Sequence, residues 1–342
     1  MFGLFYNETM NAALLAVGAL AAFILAYRFY ARYLSTQIFA LDEQDRGEKY
    51  PPSHHRHDGV DFVPTAKHIL FGHHFSSIAG AAPIVGPAIA AIWGWLPALL
   101  WIVFGVIFLG ASHDFGALVV SMRNRGSSIG QVAEQWVGPR ARNLILLVIF
   151  FLVWMVIAVF ALVIANLFVQ FPASVLPVNF EIIMAVIMGF FINRRGISLT
   201  APSLLAQGLL FVMIYLGTQY PLSLGPLFGE DQLMAWIVLL MIYSFVASVL
   251  PVWALLQPRD FINSHQLFVG LTLMVLGLLV SQPEVVAPAL NLEPKGAPPW
   301  FPFLFITIAC GAISGFHGLV SGGTSSKQVA RWSDAKPIGY GG

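Results

Sequence analysis

Long apolar runs, each interrupted only by short polar breaks, dominate the chain. A helix needs about 20 mostly apolar residues to cross the hydrocarbon core of a bilayer. On that measure the pattern predicts nine crossings, placed at Asn11–Tyr33, Phe75–Trp93, Leu96–Met122, Asn143–Val169, Val178–Asn193, Leu199–Tyr220, Met234–Leu256, Gln266–Ser281 and Phe301–Val320. The first run is kept as a helix rather than a secretory signal. The residues before it hold Glu8 and no Lys or Arg, so the positive leading region of a signal is missing.

Three of these runs carry helix breakers. The second reads Ser76-Ser77-Ile78-Ala79-Gly80-Ala81-Ala82-Pro83-Ile84-Val85-Gly86-Pro87. Proline removes a backbone donor and glycine lowers helix stability, so this helix should open. Freed backbone groups survive at membrane depth only inside protein or beside a cavity; a plain kink packed by small residues is the alternative. The seventh run is interrupted at Ala247–Trp253 around Pro251, and the ninth at Gly311–Gly318, followed by Ser321-Gly322-Gly323-Thr324-Ser325-Ser326. Counted from the second run, the seventh lies five later and so crosses in the opposite direction. Matching breaks in two inverted repeats are a pointer to a transporter binding site. The spacing predicts an all-α polytopic membrane protein with one extra N-terminal helix and eight helices of a LeuT-like five-plus-five core.

Charge sharpens the topology. With nine crossings and the N-terminus outside, every Lys and Arg except Lys295 falls on the cytoplasmic side, as the positive-inside rule requires. The chain then reads as a single transmembrane domain over 1–342. It divides into the extra helix (11–33), a cytoplasmic loop (34–74), a first repeat (75–220) and an incomplete second repeat (233–342). Composition agrees, with 58% hydrophobic residues and 10% charged, against about 25% charged in ordinary soluble domains. Net charge is +1, which points to neither nucleic acid nor an acidic partner. Cys310 stands alone, so no internal disulfide forms. No phosphate-binding Gly-Lys-Ser/Thr loop occurs. No enzyme, cofactor or metal site is expected. The loop histidines His54, His55 and His57 lack ligand spacing and read as a solvated stretch.

Ionisable residues at depth carry the candidate chemistry, because such groups are costly in lipid and usually face a cavity or a partner. His113 and Asp114 lie inside the third run, and His317 inside the ninth. A His–Asp pair suits proton coupling, since imidazole titrates near neutral pH; a structural hydrogen bond near the interface is the alternative. His73 and His74, before the broken second run, are expected at the cytoplasmic boundary. Trp93, Trp95, Trp136 and Trp300 are expected in the interfacial aromatic belt.

At several blocks the sequence resembles the carbon starvation protein A (CstA) family of bacterial inner-membrane proteins. They are His73–Pro87, Gly110–Ala117 with Arg123-Asn124-Arg125-Gly126, Leu250–Asp260, and Gly315-Phe316-His317-Gly318. The resemblance implies uptake of peptides or pyruvate across the plasma membrane during nutrient shortage, within the amino acid–polyamine–cation group. The resemblance fixes no substrate ligands; the matching breaks themselves suggest alternating access driven by an H⁺ or Na⁺ gradient, with the opened backbone at Gly80, Ala81, Ala82 and Gly86 meeting Ser248 and Trp253 around the substrate. By position, Ser321, Thr324 and Ser325 resemble hydroxyls that hold sodium against the first broken helix, joining His113, Asp114 and His317 as ion-coupling candidates. Family members continue with further spans, so the chain is expected to be part of a longer protein. The partners expected are a small solute and the lipid bilayer, with no nucleic acid. A membrane sensor or channel is the rival reading; an intramembrane metal or redox enzyme using His113, His265 and His317 is a further one.

Overall fold

The computed structural model describes residues 10–41, 50–80, 82–195 and 200–342. Among the described residues, eight helices are long and apolar enough to cross a membrane, and two further helices meeting at a 45° bend make a ninth if the pair is taken as one span. The protein is an all-α polytopic membrane protein. In chain order the helices are α1 (Ala12–Ile38), α2 (Lys67–Ile78), α3 (Ala82–Trp93), α4 (Trp95–Arg123), α5 (Ile129–Trp136), α6 (Pro139–Gln170) and α7 (Val175–Arg195). They continue as α8 (Thr200–Gln219), α9 (Gln232–Ser248), α10 (Leu256–Ser281), α11 (Trp300–Ala312), α12 (Gly315–Gly323) and α13 (Ala335–Gly339).

The chain folds as two compact units, residues 1–129 with 267–342, and residues 130–266. In the first unit α1 is capped by Asn11, whose Oδ1 accepts from the Ala13 amide at 2.8 Å, and it exposes Leu14, Ile24 and Phe29 as a lipid-facing surface. The expected break between α2 and α3 is present. Ala79 leaves helical geometry (φ −84°, ψ 60°), and the chain resumes at Ala82 with Pro83 in the first turn, where its missing donor costs nothing. The break in the ninth crossing is present too: Ile313 turns out of the helix (φ −142°, ψ 30°). Ser314 then caps α12, accepting from the Phe316 amide at 3.1 Å.

These two broken crossings lie against each other. A Cβ on Gly86 would stand 2.6 Å from the Thr307 carbonyl oxygen, and one on Gly311 would stand 2.6 Å from Pro83 Cα. Backbone therefore packs on backbone, the contact that small residues permit in membrane helices. Below this seam, Ala31 and Leu34 of α1, Leu70 of α2, Phe115, Leu118 and Met122 of α4, Trp332, and Ile338 of α13 form one buried cluster. Segment 50–66 clamps the stretch before α13: Ser53 Oγ donates to the Val329 carbonyl at 2.6 Å, and the Thr65 amide to that of Gln328 at 2.9 Å. Asp58 holds this segment in a turn, accepting at Oδ1 from the amides of Val60, Asp61 and Phe62 at 2.8–2.9 Å. Slight burial opposes its ionisation, but those amides outweigh it and hold its carboxyl below the usual range.

In the second unit α6 packs on α9 through Ala165, Phe168 and Trp236, joined by Val175 of α7; the rings of Phe168 and Trp236 are 4.9 Å apart. Two helix starts differ most from the sequence reading. α2 starts at Lys67 rather than Phe75, and α10 starts at Leu256 rather than Gln266. The interruption around Pro251 therefore separates two complete helices and does not open the middle of one. Proline can end one helix or stand in the first turn of the next, and Pro258 does the second. Arg259, taken with the loop charges, lies on α10 as a result. Trp93 also differs: it is 2% exposed and donates from Nε1 to the Pro298 carbonyl at 2.9 Å, inside the protein instead of the lipid interface.

Candidate functional site

The polar residues of the first unit converge from three helices. Asp114 and Ser121 are two turns apart on α4, so they share one face; both are buried, Asp114 at 4% and Ser121 at 2% exposure. On α12, His317 and Ser321 are likewise separated by one turn, and α2 contributes His73 and His74. Asp114 sits between two imidazoles. Its Oδ1 is 3.2 Å from His113 Nδ1, and its Oδ2 is 3.3 Å from His317 Nδ1. The two rings differ in their surroundings, since the His113 side chain is half exposed while that of His317 is 9% exposed. A Cβ on Gly318 would fall on the His113 ring, so this glycine is what lets α12 approach α4 so closely.

A second polar layer lies beside the first. His74 Nδ1 is 2.8 Å from Ser325 Oγ, and its Nε2 is buried with no partner. Asp114 and His317 act electrostatically on His74. Ser121 Oγ bridges the Gly322 carbonyl at 2.7 Å and Ser326 Oγ at 2.8 Å. Ser321 Oγ is buried without a partner. Thr324 closes α12, its amide donating to the Val320 carbonyl at 3.0 Å.

His113, Asp114 and His317 are thus in direct contact, and Ser321, Thr324 and Ser325 lie on α12 or the turn that follows it. His73 and His74, expected at the cytoplasmic boundary, are buried within the protein, at 1% and 0% exposure. Because α2 begins about two turns earlier than expected, they fall in its interior, and His74 reaches Ser325 just past α12. That burial makes His74 a site residue that the sequence pattern did not single out.

The expected substrate residues are distributed differently. Gly80 is exposed at the break, Ala82 begins α3 and Gly86 is sealed under α11; Ala81 lies outside the described residues. Ser248 and Trp253 belong to the second unit. Ser248 Oγ donates to the carbonyl of Phe245 in its own helix at 2.8 Å, and the Trp253 carbonyl lies against Gly189 of α7.

The second unit also holds a charged cluster that the sequence reading missed. Arg259 reaches Asp260 at 3.1 Å and Tyr243 Oη at 2.8 Å, and Glu181 is buried nearby on α7 at 8% exposure. The available signal was a lone acid inside the fifth apolar run. His265 bonds the Phe261 carbonyl of its own helix at 2.6 Å, and His54 that of Ala330 at 3.0 Å. Among the described residues, no three His, Cys, Asp or Glu side chains gather to hold a metal ion.

The model of the carbon starvation protein CstA family matches residues 11–342. The chain belongs to this family. It is 38% identical to the peptide transporter CstA of Escherichia coli K12, over 98% of its own length and 48% of the relative's. It is 36% identical to the pyruvate/proton symporter BtsT of the same organism, over 98% and 47%. The peptide transporter CstA of Bacillus subtilis is 35% identical over 97% of this chain and 56% of that protein. The chain spans about half the length of the curated CstA relatives it matches. No solved structure matches it.

Proposed function

We propose that the protein takes up a small carboxylate-bearing solute, pyruvate or a peptide, across the bacterial plasma membrane by proton-coupled secondary transport. It would lie with its N-terminus outside and C-terminus in the cytoplasm, and serve cells short of carbon. The observation that carries this reading is Asp114, a buried carboxylate held between the half-exposed His113 and the buried His317. Imidazoles titrate in the physiological range and carboxylates bridge them. A proton entering at His113 can therefore pass to Asp114 and on to His317 without crossing lipid. His74, bonded to Ser325, extends the same polar layer into the first half of the broken crossing.

Protons fit this site better than sodium. Sodium calls for a cage of oxygens, whereas the Ser325 hydroxyl is occupied by an imidazole nitrogen and both Asp114 oxygens face imidazoles. Two relatives bear names that agree in kind, a peptide transporter and a pyruvate/proton symporter. The names of the relatives also support a transporter over an enzyme.

The test expresses the protein from its complete reading frame in cells lacking their own pyruvate and peptide uptake. Labelled pyruvate and dipeptide are followed with and without an uncoupler. Accumulation that the uncoupler abolishes and that sodium removal leaves intact is the expected result. Sodium-dependent accumulation would overturn the proton assignment, and equilibration without accumulation would favour a channel.

A further inference from the structure

Glu181 lies in the second unit, on α7, where only 8% of the residue is exposed and Oε1 has no hydrogen-bond partner. The charges that act on it are Arg259 and Asp260, at the start of α10. Arg259 is already committed. Its Nε and Nη2 donate to Asp260 Oδ1 at 3.3 and 3.1 Å, and its Nη1 donates to Tyr243 Oη of α9 at 2.8 Å. Two carboxylates thus share one guanidinium, and the nearer partnership excludes Glu181.

The other elements supply no second cation among the described side chains. α8 brings Gln207, a neutral amide that is buried with both polar atoms unpartnered. On α10, His265 turns its Nδ1 to the Phe261 carbonyl. Arg142 of α6 pairs with Glu134 at 3.1 Å. An ionised carboxylate with a buried oxygen left unpartnered is costly, and within a membrane helix it is rarer still. Neutralisation is the remedy available, and a proton supplies it without needing any further ligand.

We propose that Glu181 is a proton-binding carboxylate, neutral in the resting protein, and forms a second proton site separate from the Asp114 centre. The step is simple protonation, in which the carboxylate accepts H⁺ from water and becomes a carboxylic acid. The neighbouring Arg259–Asp260 pair sets its balance: with Asp260 ionised, the guanidinium is neutralised and Glu181 holds its proton. The inference rests on the membrane location of the unit and not on the transport reading.

Infrared spectroscopy of the complete protein in lipid near neutral pH tests this directly, because a protonated carboxylic acid has its own carbonyl band. Wild type should show that band, and Glu181→Gln should lack it. Asp260→Asn frees Arg259 to pair with Glu181, so the band should weaken, the ratio of protonated to ionised Glu181 falling about tenfold for each pKa unit lost. If Glu181→Gln does not fold, the Asp260→Asn comparison and the shift of the wild-type band on ¹³C-glutamate labelling still decide. A wild-type spectrum without the band, or a band unmoved by both glutamate labelling and Asp260→Asn, would overturn the proposal. Neither result touches the uptake measurement, so the two readings fail separately.

Discussion

Asp114 presents one oxygen to each of two imidazoles, and only a carboxylate can accept from both. Asparagine would turn an N–H₂ group toward one of the rings and could not bind or release a proton. Asp114→Asn should therefore leave the protein in the membrane while uptake falls to passive equilibration and loses its response to the uncoupler. Loss of accumulation together with loss of the protein from the membrane would instead give Asp114 a structural role. A gentler probe is Gly318→Ala, which pushes a methyl group against the His113 ring. Half-exposed His113 can swing to another rotamer, so stability should drop by no more than about 1 kcal/mol. The contact with Asp114 is lost in the same movement. The pH profile of uptake should then shift while thermal stability in detergent barely changes.

The broken crossings show how much of an element is written locally. Gly80 and Pro83, and then Ser314 with Gly315, break their helices by backbone chemistry that belongs to the residues themselves, and both breaks stand where the sequence puts them. The start of α10 does not, because Pro251 and Pro258 read alike in a sequence although one ends a path and the other opens a helix. His73 and His74 escaped for a different reason. In a run as polar as Lys67–His74 they resemble a membrane boundary, and the partner that His74 finds, Ser325, lies 251 residues away in the chain. Where α3 meets α11, Gly86→Ala would drive a methyl into the Thr307 carbonyl. Backbone cannot step aside as a side chain can, so a loss of about 1–3 kcal/mol is expected, read as a lower denaturation midpoint in micelles. The turn at Asp58 makes an opposite kind of forecast, one of acidity. Its carboxyl is held below the unfolded value, so the turn is stabilised above about pH 4 and loses that support as pH falls through the lower folded value. Proteolysis within segment 50–66 should accelerate across that window in wild type and be fast throughout in Asp58→Ala.

Across the whole molecule, two crossings far apart in the chain share one site. The apolar pattern carries the count of crossings, because lipid imposes it on each helix independently. Which helices meet is a matter of packing, and nothing in the runs around Asp114 and His317 announces that they are neighbours. Trp332 is the keystone of the buried cluster that holds α1, α2, α4 and α13 together. Trp332→Ala should cost about 3–5 kcal/mol, seen as a loss of folded protein after mild heating in detergent.

That cluster also sets a schedule. Phe115 and Leu118 emerge from the ribosome early, while Trp332 and Ile338 come only after the whole of residues 130–266. The first unit is therefore interrupted during synthesis by the second, which has its own core and can close first. Until α12 arrives, Asp114 waits in the bilayer with one of its two imidazoles missing. A chain stalled after α9 is left with a poorly compensated acid in lipid, a mark by which a membrane protease can tell an unfinished chain from a finished one.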